Sequence, residues 1–126
     1  MHGGMIKPKK HKRLLPLPSL LKKADKVFSK HIRNRDNYTC VTCGRPGNEA
    51  GHYIQRSHKQ LRFHPQNVHC QCTRCNHFLS GNLESYALFL VNEYGVQILS
   101  ELSSLKGLFK LDRDYLNRVI EAYRER

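Results

Sequence analysis

The chain has 126 residues, 39% of them hydrophobic, and a formal net charge of +12. That length is enough for one domain and short for two independent cores. The five cysteines cluster in Cys-x-x-Cys pairs, which favours a metal site in a reducing cytosol over a disulfide framework. No apolar run approaches the roughly 20 residues of a membrane helix, which argues against a membrane protein.

The positive charge is concentrated in the first half of the chain. Residues 1–64 hold 15 Lys and Arg against 3 Asp and Glu, whereas residues 65–126 hold 7 of each kind. A localised basic surface is typical of nucleic-acid binding, which gains free energy from counterion release. The alternative is a solvated basic tail that aids solubility.

The first predicted helix follows a basic, proline-containing stretch. Residues 1–18 are predicted to form a flexible arm, and residues 19–126 a single domain. Ser19 to Arg35 is predicted to be a helix with Ser19 as its N-cap. One face is apolar and carries Leu20, Leu21, Ala24, Val27, Phe28 and Ile32. The opposite face carries Lys22, Lys23, Lys26, Lys30 and Arg33, and either lies along DNA or is an ordinary solvated surface.

The middle of the chain is predicted to fold as strand, loop, strand and helix. The strands are expected at residues 49–55, which include His52, and at residues 67–70, and the helix is expected to begin at Cys75. The fold class is therefore α+β. A small zinc-stapled core, at about residues 38–82, is flanked by the N-terminal basic helix and by C-terminal helices within residues 83–126.

Three C-terminal helices are predicted. Asn82 is expected to cap the first, residues 83–93, which ends at Tyr94-Gly95, and the second spans residues 96–105. Asp112 is expected to cap the third, residues 113–124. Its apolar stripe is formed by Leu116, Val119, Ile120 and Tyr123. The stripe is predicted to pack in the core, and the alternative is a homodimer interface.

Four cysteines have the spacing of a tetrahedral zinc site. Cys40 and Cys43 form one pair, and Cys72 and Cys75 the other, with 28 residues between them. Such a long gap predicts that a functional structure is built inside the loop. Cys70 is expected to be a small buried apolar residue.

The loop between the pairs carries residues suited to phosphodiester hydrolysis. His52 is a candidate base, because a neutral imidazole activates water near neutral pH. Asn76 offers an amide oxygen suited to Mg²⁺, the cation that would stabilise charge on the phosphate. Asn67 is expected to fix the loop that aims His52, since its amide can bond backbone donor and acceptor together. A structural, hydrogen-bonded histidine is the alternative for His52.

This pattern resembles the HNH, or ββα-metal (His-Me finger), nucleases with a four-Cys zinc site. The Cys-x-x-Cys-Asn ending is similar to that of phage endonuclease VII. The segments AGHYIQR, LRFHPQNVHCQC and CNHFLSGN, with KKADKVFSKHIRNRD upstream, resemble the lambdoid NinG/Rap recombination proteins. The resemblance implies that His52 is the base, that Asn67 is structural and that Asn76 binds the catalytic metal, Mg²⁺ or Mn²⁺. It further implies an HNH-like fold and cleavage of branched DNA such as Holliday junctions and D-loops.

One position departs from that family pattern. Many HNH enzymes carry Asp or His directly before the base, as a second metal ligand, and this chain has Gly51 there. Glu49, His77 and Ser80 are alternative assistants to Asn76. The DNA-binding candidates are Arg56, Arg62, Lys59, Lys26, Lys30 and Arg33. His64 and His69 are secondary candidates for phosphate contacts.

The leading hypothesis is a metal-dependent, structure-selective DNA endonuclease of a phage, acting in the host cytoplasm. One alternative is a non-catalytic zinc module that binds DNA, in which His52 is structural. Another is a sequence-specific HNH endonuclease, against which the absence of a separate specificity domain weighs.

Overall fold

The computed structural model describes residues 14–125, so most of the arm predicted for residues 1–18 lies outside the described residues. The mixture of helices with a small antiparallel sheet confirms the predicted α+β class. No helix within the described range is long and apolar enough to cross a membrane. In chain order the elements are α1 (Leu17–Arg35), β1 (Glu49–His52), α2 (Lys59–Arg62), β2 (Val68–Gln71), a π-helical turn (Arg74–Phe78), α3 (Leu83–Tyr94), α4 (Ile98–Ser103) and α5 (Arg113–Tyr123).

Helix α1 begins two residues earlier than predicted. Pro16 occupies the N-cap position, and a further proline, Pro18, lies in the first turn. Proline is well tolerated there because its missing N–H would have no partner within the helix. Ser19 therefore lies inside the helix and is not its cap. The division into arm and domain stays a prediction, although its boundary at residue 18 falls within α1.

Strands β1 and β2 form a two-stranded antiparallel sheet. Glu49 lies opposite Gln71, and His52 lies opposite Val68. Both strands differ slightly from the predicted ranges: β1 ends at His52, and β2 runs from Val68 to Gln71. Beyond β1 the side-chain amide of Asn67, rather than another strand residue, bonds the backbone of Ile54. Strand β1 therefore ends three residues before residue 55, the predicted end.

One face of the sheet is covered by α1 and α5. Ala50 and Val68 belong to a core that also contains Phe28 of α1. Tyr123 of α5 packs edge-on against Phe28, with ring centroids 4.9 Å apart. The apolar stripe of α5 is thus used within the chain, which confirms its predicted core role. A homodimer through the C-terminal helices stays a prediction.

The end of α1 covers the free edge of β2. The Arg35 guanidinium donates hydrogen bonds to the carbonyl oxygens of Pro65 and Val68, each at 2.8 Å. The carboxylate of Asp36 accepts a 2.8 Å bond from the amide of Cys70. These bonds satisfy backbone groups that a two-stranded sheet would leave unpaired. They also fix α1 relative to the strand that leads into the second cysteine pair.

The other face of the sheet is covered by α3, which packs with α4 in a second apolar cluster. Gly95 ends α3 with a φ of +96°, as predicted. Asp112 accepts a bond from the amide of Tyr115 and so caps α5, also as predicted. Helix α4 is shorter than the predicted residues 96–105. Asn82 occupies the predicted N-cap position of α3, but its side chain makes no capping bond and donates instead to the Cys75 sulfur at 3.6 Å.

Candidate functional site

Four cysteine sulfurs meet at one point beside the sheet. The ligand atoms of Cys40, Cys43, Cys72 and Cys75 all lie within 4.8 Å of one another. The sulfurs of Cys43 and Cys72 are 3.7 Å apart. Two thiolates bound to one tetrahedral zinc at about 2.3 Å would be separated by roughly 3.8 Å. The predicted grouping of these four residues is confirmed, and their geometry is compatible with a structural zinc ion.

The surroundings of the sulfurs show what full ionisation of the four cysteines would require. The amide of Cys75 donates to the Cys72 sulfur at 3.4 Å, and the Asn82 amide donates to the Cys75 sulfur. A backbone hydrogen bond from Arg45 would lower the pKa of the Cys43 thiol, but burial and the neighbouring sulfurs raise it to about 12. Four thiolates this close together therefore need a cation to share their charge.

Cys70 does not belong to this group. Its side chain is fully buried, and burial raises the pKa of its thiol. It lies on β2 opposite Ala50, on the face that packs toward α1. The expectation of a small buried apolar residue is confirmed.

The ring of His52 is oriented by a backbone carbonyl. Its Nε2 atom lies 2.9 Å from the carbonyl oxygen of Arg62. A carbonyl oxygen only accepts hydrogen bonds, so Nε2 carries the proton, and the lone pair of Nδ1 has no hydrogen-bond partner among residues 14–125. The residue lines a pocket between β1 and α1 together with Lys26 and Arg56. The arrangement leaves a basic nitrogen in a positively charged pocket.

The environment of His52 favours the neutral ring. Burial lowers its pKa most, the hydrogen bond to the Arg62 carbonyl opposes that change, and the positive charges of Arg56 and Arg62 lower the pKa further. A histidine with a pKa below the ordinary 6.5 is predominantly neutral at pH 7. His52 is therefore in the protonation state that a general base needs.

Asn67 holds together the two ends of the segment that follows His52. Its Oδ1 accepts from the amide of Ile54 at 2.9 Å, while its Nδ2 donates to the carbonyls of Ile54 at 2.9 Å and Leu61 at 3.1 Å. The side chain is fully buried. Because Leu61 immediately precedes Arg62, this amide also fixes the carbonyl that orients His52. Its contribution to catalysis stays a prediction.

Asn76 lies beside the carboxylate of Glu49, not beside His52. The Asn76 Nδ2 atom is 2.8 Å from Glu49 Oε1, and the His77 Nε2 atom is 2.9 Å from the same oxygen. Thr73 donates its hydroxyl to Glu49 Oε2 at 2.9 Å. Burial alone would raise the pKa of Glu49, but the hydrogen bonds from Asn76 and Thr73 and the nearby His77 lower it. An ionised carboxylate is thus surrounded by donors.

His52 and Glu49 are three residues apart on β1. At the usual rise of a strand their Cα atoms are separated by about 10 Å, and their side chains leave opposite faces. The structure therefore shows two separate groups, one around His52 and one around Glu49 and Asn76. Ser80, the third candidate assistant, is an exposed residue in the turn after the π-helical turn, with a φ of +50°.

Gly51 is required because the side chain of Gln71, which lies opposite Glu49 on β2, packs against its Cα atom. A Cβ atom at this position would lie 1.8 Å from Gln71 Oε1 and 2.6 Å from its Cδ. Gln71 is fully buried, and its Nε2 donates to the carbonyl of Gly81 at 2.8 Å and to the hydroxyl of Thr42 at 3.1 Å. The space in which a metal-binding side chain at position 51 would begin is therefore filled by Gln71.

The two arginines predicted to hold DNA differ in their surroundings. Arg56 is exposed beside His52, with Lys22 and Lys26 lining the same pocket. The Arg62 guanidinium is instead paired with Asp25 of α1, with Nε 2.9 Å from Oδ1 and Nη2 bonded to Oδ2. Arg56 is therefore the better placed of the two for a phosphate, because the forked donors of Arg62 are engaged within the chain.

The other candidate DNA contacts lie on two helices. Lys30 is exposed on α1, and Lys59 is exposed on α2. Arg33 donates to Asn48 Oδ1 at 3.1 Å and lies over the Tyr38 ring, 5.9 Å from its centroid. Their contacts with DNA stay predictions.

A buried hydrogen-bond chain behind β1 was not predicted from the sequence. Tyr86 donates to the carbonyl of Gly51 at 2.7 Å, so its oxygen accepts from His69 Nδ1 at 3.2 Å. His69 Nε2 then accepts from the Tyr94 hydroxyl at 2.8 Å. Burial lowers the pKa of His69 to about 4. His69 is thus a neutral structural residue, and the expectation that it contacts phosphate is wrong because it is buried.

Comparison with known proteins identifies the family of the chain. A family model described as the bacteriophage lambda NinG protein matches residues 5–126. The NinG protein of Escherichia phage 933W is 36% identical over 96 residues, and those of Salmonella phage P22 and Escherichia phage lambda are 35% identical over the same length. The alignments cover 72% of this chain and 47–48% of the relatives, so the chain spans about half the length of the curated relatives it matches. No solved structure matches the chain significantly. The chain therefore belongs to the bacteriophage lambda NinG protein family.

Proposed function

We propose that this chain is a metal-dependent DNA endonuclease with an HNH-like core, selective for branched DNA. The observation that carries the proposal is the orientation of His52. A backbone carbonyl holds its Nε2 proton, and its Nδ1 lone pair is free in a pocket lined by cationic side chains. A buried histidine with a merely structural role usually has both ring nitrogens in hydrogen bonds, as His69 does here.

The chemical role of His52 follows from this tautomer. A water molecule at Nδ1 would transfer its proton to that nitrogen as its oxygen attacks the phosphorus. The Nε2 proton, held on the Arg62 carbonyl, keeps the ring in place while positive charge develops on it. The Asn67 amide maintains that carbonyl by bonding the preceding residue, Leu61. The attack breaks the bond from phosphorus to the leaving sugar oxygen.

The donor sets suit two different cations. The four thiolates suit zinc, whereas the carboxylate of Glu49 and the amide of Asn76 suit a hard cation such as Mg²⁺ or Mn²⁺. When bound at Asn76, a divalent cation would neutralise charge on the scissile phosphate and the leaving oxygen. Zinc would join β2 and the π-helical turn to the loop that follows α1, and so hold Asn76 relative to β1.

DNA is the proposed partner because cationic side chains surround His52. Arg56, Lys22 and Lys26 line its pocket, and Lys30 extends the basic surface along α1. Neutralisation of phosphates by such residues drives binding to DNA. The preference for Holliday junctions and D-loops is proposed from the resemblance to the NinG/Rap recombination proteins. A homodimer through the C-terminal helices and action in the host cytoplasm belong to the same proposal.

The test compares DNA substrates of equal sequence. Zinc-loaded protein is incubated with a synthetic four-way junction, or with the linear duplexes that compose it, with and without Mg²⁺. We expect cleavage of the junction in the presence of Mg²⁺ and little cleavage of the duplexes. Site-specific cleavage of linear duplex in preference to the junction would contradict branch selectivity. Binding of either DNA without cleavage under any divalent cation would indicate a non-catalytic zinc module.

A further inference from the structure

We propose that Glu49 is the anionic ligand of the catalytic cation, and that it replaces the missing side chain at position 51. The inference rests on the proposed function, because it assigns a ligand to the same metal site. Position 51 cannot supply one, since the side chain of Gln71 fills the space beside its Cα atom. Glu49 precedes Gly51 by two residues and therefore lies on the same face of β1.

The atoms around Glu49 have the separations of neighbouring metal ligands. Oxygens bound to Mg²⁺ at about 2.1 Å in adjacent octahedral positions are roughly 3 Å apart. The Asn76 Nδ2 atom is 2.8 Å from Glu49 Oε1, and the Thr73 hydroxyl oxygen is 2.9 Å from Glu49 Oε2. In each of these two contacts, the two atoms are therefore close enough to bind the same cation. Glu49 lies on β1 and Asn76 in the π-helical turn. The second cysteine pair links that turn to the end of β2, which is paired with β1.

The Asn76 amide can present either of its two ends to the carboxylate. Oxygen and nitrogen of an asparagine amide occupy equivalent positions, so a half-turn of the amide exchanges them with little other movement. In the structure the NH₂ group faces Glu49. With a cation present, the amide oxygen would occupy the same position beside the carboxylate. The NH₂ group, the Thr73 hydroxyl and His77 thus all contact the Glu49 carboxylate, on the side where a cation would bind it.

A separate observation on the same face of the sheet points to the same ligand. Gln71 Oε1 is buried and has no hydrogen-bond partner among residues 14–125. Its amide cannot easily turn, because its nitrogen donates to both Gly81 and Thr42. Leaving such an oxygen unpaired costs about 1–3 kcal/mol. Gln71 lies directly opposite Glu49, with Cβ atoms about 5 Å apart in such pairs.

A hydrated cation at Glu49 would provide the donor that Gln71 lacks after a small movement that opens this oxygen to a bound water, because the oxygen is inaccessible to water as the structure stands. Mg²⁺ usually retains several of its waters, and each bound water donates hydrogen bonds to nearby acceptors. A cation held by Glu49 and Asn76 would place such waters on the face of the sheet where Gln71 Oε1 lies. The simpler alternative is that Glu49 only docks the π-helical turn onto β1 through Asn76, Thr73 and His77.

Direct measurement of metal binding distinguishes these two roles without DNA. Zinc-loaded protein is titrated with Mn²⁺, and free Mn²⁺ is followed by electron paramagnetic resonance. We expect one Mn²⁺ site in the unaltered protein and at least tenfold weaker binding in Glu49→Gln. The matched control is Glu101→Gln, which removes an exposed carboxylate from α4 and should bind Mn²⁺ as the unaltered protein does. Equal Mn²⁺ affinity in Glu49→Gln and the unaltered protein would overturn the inference.

A second measurement uses the unaltered protein and does not depend on folding of a variant. Bound Mn²⁺ broadens the NMR signals of nearby backbone amides, so those of Glu49 and Asn76 should disappear first. The amide of Val119 in α5, on the other side of the sheet, serves as the internal control. Broadening confined to other parts of the chain, or no bound Mn²⁺, would overturn the inference. A protein that binds Mn²⁺ at Glu49 but cuts neither junction nor duplex would refute the proposed nuclease and leave this site intact.

Discussion

The Nε2 atom of His52 and the carbonyl oxygen of Arg62 lie 2.9 Å apart, across ten residues of chain. The carbonyl determines the tautomer of the imidazole, and the Arg62 side chain is in turn held by Asp25 of α1. His52, the proposed base, is thus positioned by the backbone of the segment between the two strands, and that segment is attached to the first helix. Changes in the loop are expected to alter catalysis without touching DNA.

The pH dependence of cleavage follows from the protonation of His52. Only the neutral ring accepts a proton, and the pKa of His52 is lowered from 6.5, chiefly by burial. We therefore expect a single-turnover rate that is nearly constant above about pH 6.5 and falls up to tenfold per pH unit below the lowered pKa. Rates measured on a synthetic junction at saturating Mg²⁺ test this. A rate that still rises tenfold between pH 7 and pH 8 would argue for another base.

Arg56 and Arg62 should respond differently to replacement by alanine. Arg56→Ala removes an exposed cation, so DNA affinity should fall and the salt dependence of binding should decrease by about one ion. Arg62→Ala leaves Asp25 without its partner, and we expect the free energy of unfolding to fall by about 1–3 kcal/mol. Thermal melting and DNA binding at several salt concentrations separate the two effects. A reversal of this pattern, with Arg56→Ala as the destabilised variant, would contradict the assignment.

Removal of a zinc ligand should unfold the central part of the chain. Cys72→Ser leaves three thiolates, and structural zinc contributes about 10 kcal/mol in small zinc-dependent domains. We expect one zinc ion per unaltered chain, and loss of zinc with a much lower melting temperature in the variant. Cys70→Ala is the matched control, because this buried cysteine lies outside the cluster. Loss of zinc from Cys70→Ala with retention in Cys72→Ser would show that the ligand set is wrong.

The buried chain of Tyr94, His69 and Tyr86 should stabilise β1. Tyr86→Phe removes the donor to the Gly51 carbonyl and leaves His69 Nδ1 without its acceptor, at a cost of about 1–3 kcal/mol. Urea unfolding of this variant measures the cost. Tyr38→Phe is the control, since Tyr38 is exposed and its ring contact with Arg33 survives the change. Equal stability of the two variants would mean that the chain contributes little.

Acid should weaken the fold through His69. Its folded pKa of about 4 lies below the ordinary 6.5, so the unfolded chain binds the proton more readily. The stabilisation is complete above pH 6.5 and is lost as the pH falls toward 4. Urea unfolding at pH 7 and pH 5 should therefore show lower stability at pH 5. A smaller loss in His69→Gln than in the unaltered protein would identify this residue as the source.

Local patterns in the sequence predicted much of the fold. The spacing of Leu20, Ala24 and Phe28 predicted the buried face of α1, and paired cysteines predicted the cluster, because both depend on residues close in sequence. Helix ends were less predictable. Pro16 begins α1 without a side-chain capping bond, and the Asn82 side chain bonds the sulfur of Cys75, seven residues earlier, instead of capping α3. The spacing of residues does not show which of two possible partners a side chain bonds.

The candidate site was predicted in its residue types but not in its contacts. Sequence reasoning singled out His52, Asn67 and Asn76, yet did not show that Asn76 meets Glu49 or that Arg62 pairs with Asp25. Those contacts join segments 27 and 37 residues apart. The sequence also did not explain why position 51 is a glycine, because the contact with Gln71 depends on the register of the two strands.

The most direct test of the account is His52→Ala on a synthetic four-way junction with Mg²⁺. We expect the single-turnover cleavage rate to fall by about 10²- to 10⁴-fold, the usual contribution of a general base, while affinity for the junction stays within a few fold of the unaltered protein. Zinc content and melting temperature, measured on the same samples, establish that the variant is folded. Cleavage by His52→Ala at the unaltered rate would contradict the assignment of His52 as the base.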